Sequence, residues 1–364
     1  MRKLSFIPGP SKINDAVYTD IDQAVKEGVM EMSHRSDAFL NTANNCLANL
    51  RSFLKVPKDY QILLLDSASA SWHSLVANLV EKHSTHLVNG AFSKKASVAS
   101  KALYKETTIF EVELGKQIDV SKIDIPNATE LLTVCYNESS TGVCHEESDI
   151  KYLREKNPDT LLAIDITSIA GALEIDLLNG DAWYFSIQKA FGLPAGLGVL
   201  ILSPRAIERS LNMTKQRKNL AGMWSWQTYL QNQADGRGPT YQTPNMLAIY
   251  LLDKQTERYL KNGGLSKISN DTKEKANRIW SYFKNHAKLN PFPQEEVYLS
   301  PTIITITGDS SHISKLHAEV KNADMLIGAG YGSLATSTFR IANFPSHSQK
   351  DIESLLSVID KIEM

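Results

Sequence analysis

Seven short apolar runs constrain this chain more than any other feature: Gln61–Leu65, Thr85–Val88, Thr107–Val112, Leu131–Tyr136, Thr160–Ile166, Trp183–Ile187 and Gly198–Leu202. Each has the length of a buried strand and falls far short of the roughly 18 apolar residues of a membrane span. Between several of them the period changes to that of a helix, as in Trp72–Glu81 and Ser93–Tyr104. Upstream, Phe39, Ala43, Cys46, Leu47, Leu50, Phe53 and Leu54 recur at three- and four-residue spacing behind two possible caps, Ser36 and Asp37. Strands alternating with helices imply βαβ units and an α/β fold on a mostly parallel sheet.

Beyond about residue 245 the texture changes. Met246–Leu260 and Leu265–Ala287 read as helices, Pro301–Thr307 as a strand, and Ile313–Val320, Thr338–Ala342 and Ile352–Ile362 as helix, strand, helix. The expected organisation is an N-terminal arm at 1–14 joining a smaller α+β domain at 246–364, with a large domain at 15–245. Pro8-Gly9-Pro10 keeps the arm extended.

Composition excludes several functions. Lys plus Arg (39) balance Asp plus Glu (40), which removes the global argument for a nucleic-acid or anionic-membrane partner. Three cysteines, Cys46, Cys135 and Cys144, form neither a CxxC pair nor a zinc-spaced cluster, so no metal site is expected. The opening MRKLSFIPGPSK has no apolar run fit for a signal peptide, and the expectation is a cytoplasmic protein. Nucleotide-binding glycine motifs are missing; Gly328, Gly330 and Gly332 have the wrong spacing and follow no suitable strand.

The segment richest in chemistry runs from Tyr184 to Gly198. Lys189 follows an apolar strand and opens a loop of Gly192, Pro194 and Gly196, while Asp165 ends another apolar strand. A lone lysine is normally a solvated surface residue. Paired with an acid at a neighbouring strand end, where open α/β sheets bind ligands, it suits pyridoxal 5′-phosphate. The lysine would form a Schiff base, and the aspartate would keep the pyridine nitrogen protonated.

Gln188-Lys189 before that loop resembles the class V pyridoxal-phosphate aminotransferases, and within them the phosphoserine aminotransferases. So do Pro8-Gly9-Pro10, Glu31-Met32-Ser33-His34-Arg35, Cys135-Tyr136-Asn137-Glu138-Ser139, Gln242-Thr243-Pro244 and Phe339-Arg340, in order along nearly the whole chain. The resemblance implies the type I aminotransferase fold, with a large domain on a mostly parallel seven-stranded sheet. It also implies a homodimer with shared active sites, acting on small amino acids and 2-oxo acids. Lys189 and Asp165 would be catalytic. Ala68, Ser69, Phe92, Ser139, Gln188, Gln242 and Thr243 would join them in holding the cofactor, the last two from the partner subunit. Arg340, Arg35 and His34 would meet the substrate.

Departures concern the substrate. Where that family carries an arginine ahead of the first βα helix and a His-Arg pair ahead of its carboxylate arginine, this chain has Ser69, Ser333 and Leu334. A phosphate dianion needs cationic partners; Arg237, Lys94 and Arg217 are the candidates to replace them. The family-implied pair is phosphoserine and 2-oxoglutarate. Alanine, serine or glyoxylate chemistry stands as the alternative, and a non-catalytic cofactor- or partner-binding protein on the same fold as another.

Overall fold

The computed structural model describes residues 2–216 and 220–363. Its main sheet has seven strands in the order Gln61–Leu65, Gly198–Leu202, Ala182–Ser186, Leu161–Asp165, Leu131–Cys135, His83–Val88 and Glu106–Glu111. All neighbours pair in parallel except Gly198–Leu202, which runs against both of its own. The central strands Leu131–Cys135 and Leu161–Asp165 are buried at every position, as strands covered on both faces must be. Gly198 starts its strand at the only kind of residue that fits: a Cβ there would lie 2.3 Å from the carbonyl carbon of Ser67.

The helix Asp37–Phe53 is capped by Ser36, whose Oγ accepts from the Phe39 amide. Its buried residues Phe39, Ala43, Cys46, Leu50 and Phe53 form one stripe. That stripe packs on the helix Met246–Lys261, with Asn49 Nδ2 donating to Asp253 Oδ1 at 2.8 Å across the contact.

A second sheet of five strands runs Leu4–Phe6, Met325–Ala329, Thr338–Ala342, Ile303–Thr307 and Asn290–Pro291. Its core gathers Phe6, Phe283, Ile304, Ile306, Leu316, Phe339 and Ile341. The two cores share out the helices that follow residue 245. Ala248, Ile249, Leu252 and Leu265 belong to the core of the large body, whereas Ala276, Ile279 and Phe283 belong to that of the second sheet. The passage from one core to the other therefore lies within the helix Gly264–Lys284, beyond the change of sequence texture.

The N-terminal arm ties the two bodies together. Leu4–Phe6 pairs in parallel with Met325–Ile327, then Ser11 N donates to Gln188 O at 3.0 Å and Asn14 N to Gly192 O at 2.9 Å. His347 fastens the arm from the other side. Its Nε2 sits 2.8 Å from the Ser5 carbonyl, its Nδ1 accepts from the Phe344 amide, and its ring stacks on Phe6 at 5.0 Å. Lys275 Nζ donates to the Phe344 and His347 carbonyls, and Lys12 pairs with Asp351 at 2.8 Å.

Burial pushes the His347 imidazole from its ordinary 6.5 down to about 4, and does the same to His86, enclosed among Ser84, Ser100 and Thr133. Both pKa values are depressed on folding, so the unfolded chain binds more protons below pH 6.5. Their stabilising effect is complete above about pH 6.5 and is lost as pH falls towards 4, by roughly 3 kcal/mol per residue at the limit. His347→Gln keeps a donor for Ser5 and removes one titration. Its melting temperature, followed between pH 7 and 4, is expected to fall less steeply than that of the wild type; parallel curves would refute the assignment.

Candidate active site

Residues at the carboxyl ends of the parallel strands enclose a cleft of about 180 Å³ beside Lys189. This is where a parallel α/β sheet leaves room for a ligand. Asp165 is the last residue of its strand and Cys135, its register partner, the last of the next. Lys189 follows Ala182–Ser186 through Ile187 and Gln188 and is 8% exposed. Its Nζ donates to Ser139 Oγ at 2.8 Å and stands 5.3 Å from the centre of the Phe92 ring. Asp165 Oδ1 accepts from the Thr167 amide at 2.8 Å.

Burial dominates the electrostatics. It lowers the Lys189 pKa against the pull of Asp165, Cys135 and Glu138, and raises that of Asp165 against hydrogen bonds from Thr167 and the charge of Lys189. A lysine held towards its neutral form is the nucleophilic form of the amine.

Phe92 and Ser139 owe their positions to one buried carboxylate. Glu138 is fully buried. Its Oε2 accepts from Phe92 N, Ser93 N and Ser93 Oγ at 2.9–3.0 Å. Its Oε1 accepts from Ser140 N and Ser140 Oγ at 3.1 and 2.7 Å. It thereby caps the helix Ala91–Ala102, where negative charge is favoured by the helix dipole. Gly90 makes room for it, since a Cβ there would lie 2.4 Å from Glu138 Cγ.

The opposite wall is the first turn of the helix Ala68–Leu79, which begins behind the Ser67 cap. Ala68 and Ser69 line the cleft there, with Trp72 one turn along. This helix start presents backbone N–H groups suited to an anion.

The donor set fits pyridoxal phosphate. A helix start can hold its phosphate, Asp165 can face a cationic ring nitrogen, Ser139 can bond a phenolic oxygen, and Phe92 offers a ring face. Asn137 Oδ1, in the same lining, is buried without a hydrogen-bond partner in the protein, an acceptor left over for a ligand.

Seven of the residues expected from sequence, Ala68, Ser69, Phe92, Ser139, Asp165, Gln188 and Lys189, thus line one cleft. Arg340 stands next to it, donating to the Ser139 carbonyl at 2.9 Å and to that of Ala329 at 2.9 Å. The others lie elsewhere in the single chain. Gln242 Nε2 reaches Asp66 at 3.2 Å, neither it nor Thr243 lines the cleft, and Arg35 donates to the Arg237 carbonyl with His34 beside it. Arg237 faces Asp235 at 3.6 Å, Lys94 is paired with Glu111 at 2.7 Å, and Arg217 lies outside the described residues.

Sequence reasoning missed Gly9, Pro10, Trp72, Asn137, Thr167 and Ser168 as lining residues. It also missed Glu138 as the cap and Tyr331 as a ring 5.2 Å from Phe92. Asn137 and Glu138 adjoin Ser139 in the quoted motif and were within reach; Tyr331 comes from a distant loop and gave no local signal. Among the described residues, no group of three or more His, Cys, Asp or Glu is placed to hold a metal ion, and no helix is long and apolar enough to cross a membrane.

A buried lysine and a buried aspartate at adjacent strand ends of a seven-stranded, mostly parallel sheet define a fold type I pyridoxal-phosphate enzyme. The family model of the class V aminotransferases matches residues 6–355. A phosphoserine aminotransferase of Corynebacterium glutamicum (strain R) is 30% identical, over 98% of this chain and 95% of that protein. A putative phosphoserine aminotransferase of Mycolicibacterium vanbaalenii is 28% identical, over 97% and 93%. The crystal structure of a phosphoserine aminotransferase from Cytophaga hutchinsonii superposes with a TM-score of 0.94 at 34% identity, covering 99% of this chain and 98% of that one. The pyridoxal-phosphate-bound phosphoserine aminotransferase of Trichomonas vaginalis shares the fold, with a TM-score of 0.81 at 18% identity over 99% and 100% of the two chains. The chain belongs to the class V aminotransferases, pyridoxal-phosphate-dependent transaminases.

Replacing Glu138 by Ala strands three backbone N–H groups of the site, those of Phe92, Ser93 and Ser140. The expected loss is roughly 3–5 kcal/mol in urea unfolding. A loss under about 1 kcal/mol would show that the cap is replaceable by water.

Proposed function

We propose that this chain exchanges an amino group between phosphoserine and 2-oxoglutarate, as a cytoplasmic homodimer with composite active sites. The observation that carries the reading is the full-length likeness to phosphoserine aminotransferases, at 34% identity and a TM-score of 0.94 for one of them.

Pyridoxal phosphate, when bound, supplies an aldehyde for the amino group and a ring that draws electrons from the substrate's Cα. The chain's own residues do the rest. Lys189 is the base and acid that removes and returns the proton at Cα, and its bond to Ser139 Oγ holds the amine in place. Asp165 would pair with the ring nitrogen, Phe92 would stack on the ring, Ser139 would bond the phenolic oxygen, and Ala68, Ser69 and Gln188 would hold the phosphate. Gln242 and Thr243 would reach the phosphate of the partner's cofactor across the dimer. Arg340 takes the substrate's α-carboxylate as a fork, two of its N–H groups being anchored on carbonyls; Arg35 and His34 serve a substrate carboxylate.

Ser69, Ser333 and Leu334 favour a second reading, transfer from an unphosphorylated amino acid such as alanine or serine, or to glyoxylate. A half-reaction screen of amino acids, followed through the cofactor's absorbance, separates the two: discharge by phosphoserine supports the first, and discharge by neutral amino acids alone supports the second.

Lys189→Ala is expected to lose the long-wavelength absorbance of the lysine-bound cofactor and to slow transfer by at least ~10²–10⁴. Borohydride reduction followed by peptide mapping checks the attachment point. Mixing inactive Lys189→Ala subunits with Thr243→Ala subunits is expected to restore activity through one intact site per heterodimer. Full activity from a monomer in sedimentation would disprove the shared site.

A further inference from the structure

Building on the transaminase reading above, we propose that Lys95, positioned by Tyr331, holds the distal anion of an acidic amino-acid substrate. Lys95 lies one turn beyond Phe92 on the helix Ala91–Ala102. Its Nζ donates to Tyr331 Oη at 2.7 Å and stands 5.2 Å from the ring centres of both Phe92 and Tyr331. The two rings are themselves 5.2 Å apart and tilted by 48°. Lys189 approaches the same Phe92 ring to 5.3 Å, and the Arg340 guanidinium approaches Tyr331 to 5.6 Å. Two aromatic rings, one of them lining the cleft, therefore gather three basic side chains from three separate elements.

Among the described residues no carboxylate forms an ion pair with Lys95, whereas Lys94 beside it is paired with Glu111 at 2.7 Å. Arg340 bonds only carbonyls. Lys95 and Arg340, both against the Tyr331 ring, repel each other as cations, and an anion placed between them removes that repulsion. With the amino group at Lys189 and the α-carboxylate on Arg340, Lys95 supplies a third point of attachment. Its distance from Lys189 cannot exceed the sum of their two distances to the Phe92 centre.

The ammonium carries three N–H donors and gives one to Tyr331, leaving two for an anion; the Tyr331 hydroxyl, accepting from Lys95, still has its own proton to give. Phosphoserine and glutamate differ in length and in the shape of the distal anion, and a transaminase for this pair must bind both at one site. A point charge on a flexible stem adapts to either, where a rigid guanidinium fork favours one geometry. Ser333 and Leu334, in the Tyr331 loop, bring no second charge to compete.

The test compares phosphoserine, glutamate and alanine in single-turnover half-reactions with wild type, Lys95→Met, Lys95→Arg and Tyr331→Phe, all loaded with cofactor. In Lys95→Met the kcat/KM ratio of phosphoserine to alanine is expected to fall about 10- to 100-fold, as is that of glutamate to alanine, chiefly through KM. Lys95→Arg should recover part of both ratios, and Tyr331→Phe should lose a few-fold of each. Inorganic phosphate should inhibit wild type competitively and Lys95→Met more weakly. An acidic preference that survives Lys95→Met overturns the assignment while leaving the transaminase reading intact. So does a wild type that prefers alanine to both acidic substrates. If no amino acid discharges the cofactor of the wild type, the functional reading itself falls, and this assignment with it.

Discussion

The active site rests on the buried side chain of Glu138. A carboxylate with no exposure is costly unless its oxygens are fully bonded, and here five donors converge on two oxygens. Those donors come from the start of the Ala91–Ala102 helix and from the turn after Glu138 itself, so one side chain holds both segments. Phe92 contributes an amide to the carboxylate and its ring to the chamber. Ser139 lies between the acid and Ser140, with its hydroxyl turned to Lys189. Displacing the carboxylate would loosen the ring wall and the lysine's partner together.

Burial also decides the charge of the two groups at the strand ends, Lys189 and Asp165. Lys189 and Asp165 are of opposite charge in one chamber, yet desolvation outweighs their mutual attraction and biases both towards neutrality. Such a chamber favours bound groups that restore charge balance: a cationic ring nitrogen against Asp165, and anions against the arginine and lysine at the mouth. Its chemistry is therefore completed by what it binds, in keeping with a family whose reaction is carried by a cofactor.

Much of this was legible in the sequence where structure is local. Gln61–Leu65, Gly198–Leu202 and Thr338–Ala342 were read to the residue, because short β-rich apolar runs flanked by turn residues have few alternatives. Lys189 and Asp165 were legible because strand ends carry ligands. The helices Ala16–Lys26 and Glu147–Lys156 were not read, for each buries only two residues, Val17 with Ala24 and Ile150 with Leu153, too few to print a stripe. The passage between cores has no local signal: Met246–Lys261 follows the change of texture but packs on Asp37–Phe53, a contact no local pattern reveals. Tyr331 was missed for the same reason: it reaches Phe92 only through the pairing of the second sheet.

The arm gives the site an order of birth. Gly9 and Pro10 line the cleft, and Gly9 lies against the Lys189 side chain, yet the strand that leads to them pairs with Met325–Ile327. On the ribosome the first residues emerge long before the strand that receives them, although domains generally begin to fold from the N-terminal side. The large sheet can form its strand ends early, but the chamber stays unfinished until Met325–Ile327 is made. A nascent or prematurely terminated chain can thus display Lys189 and Asp165 without the complete enclosure around them, and the finished enzyme closes its reaction chamber with residues made long before the strand that places them.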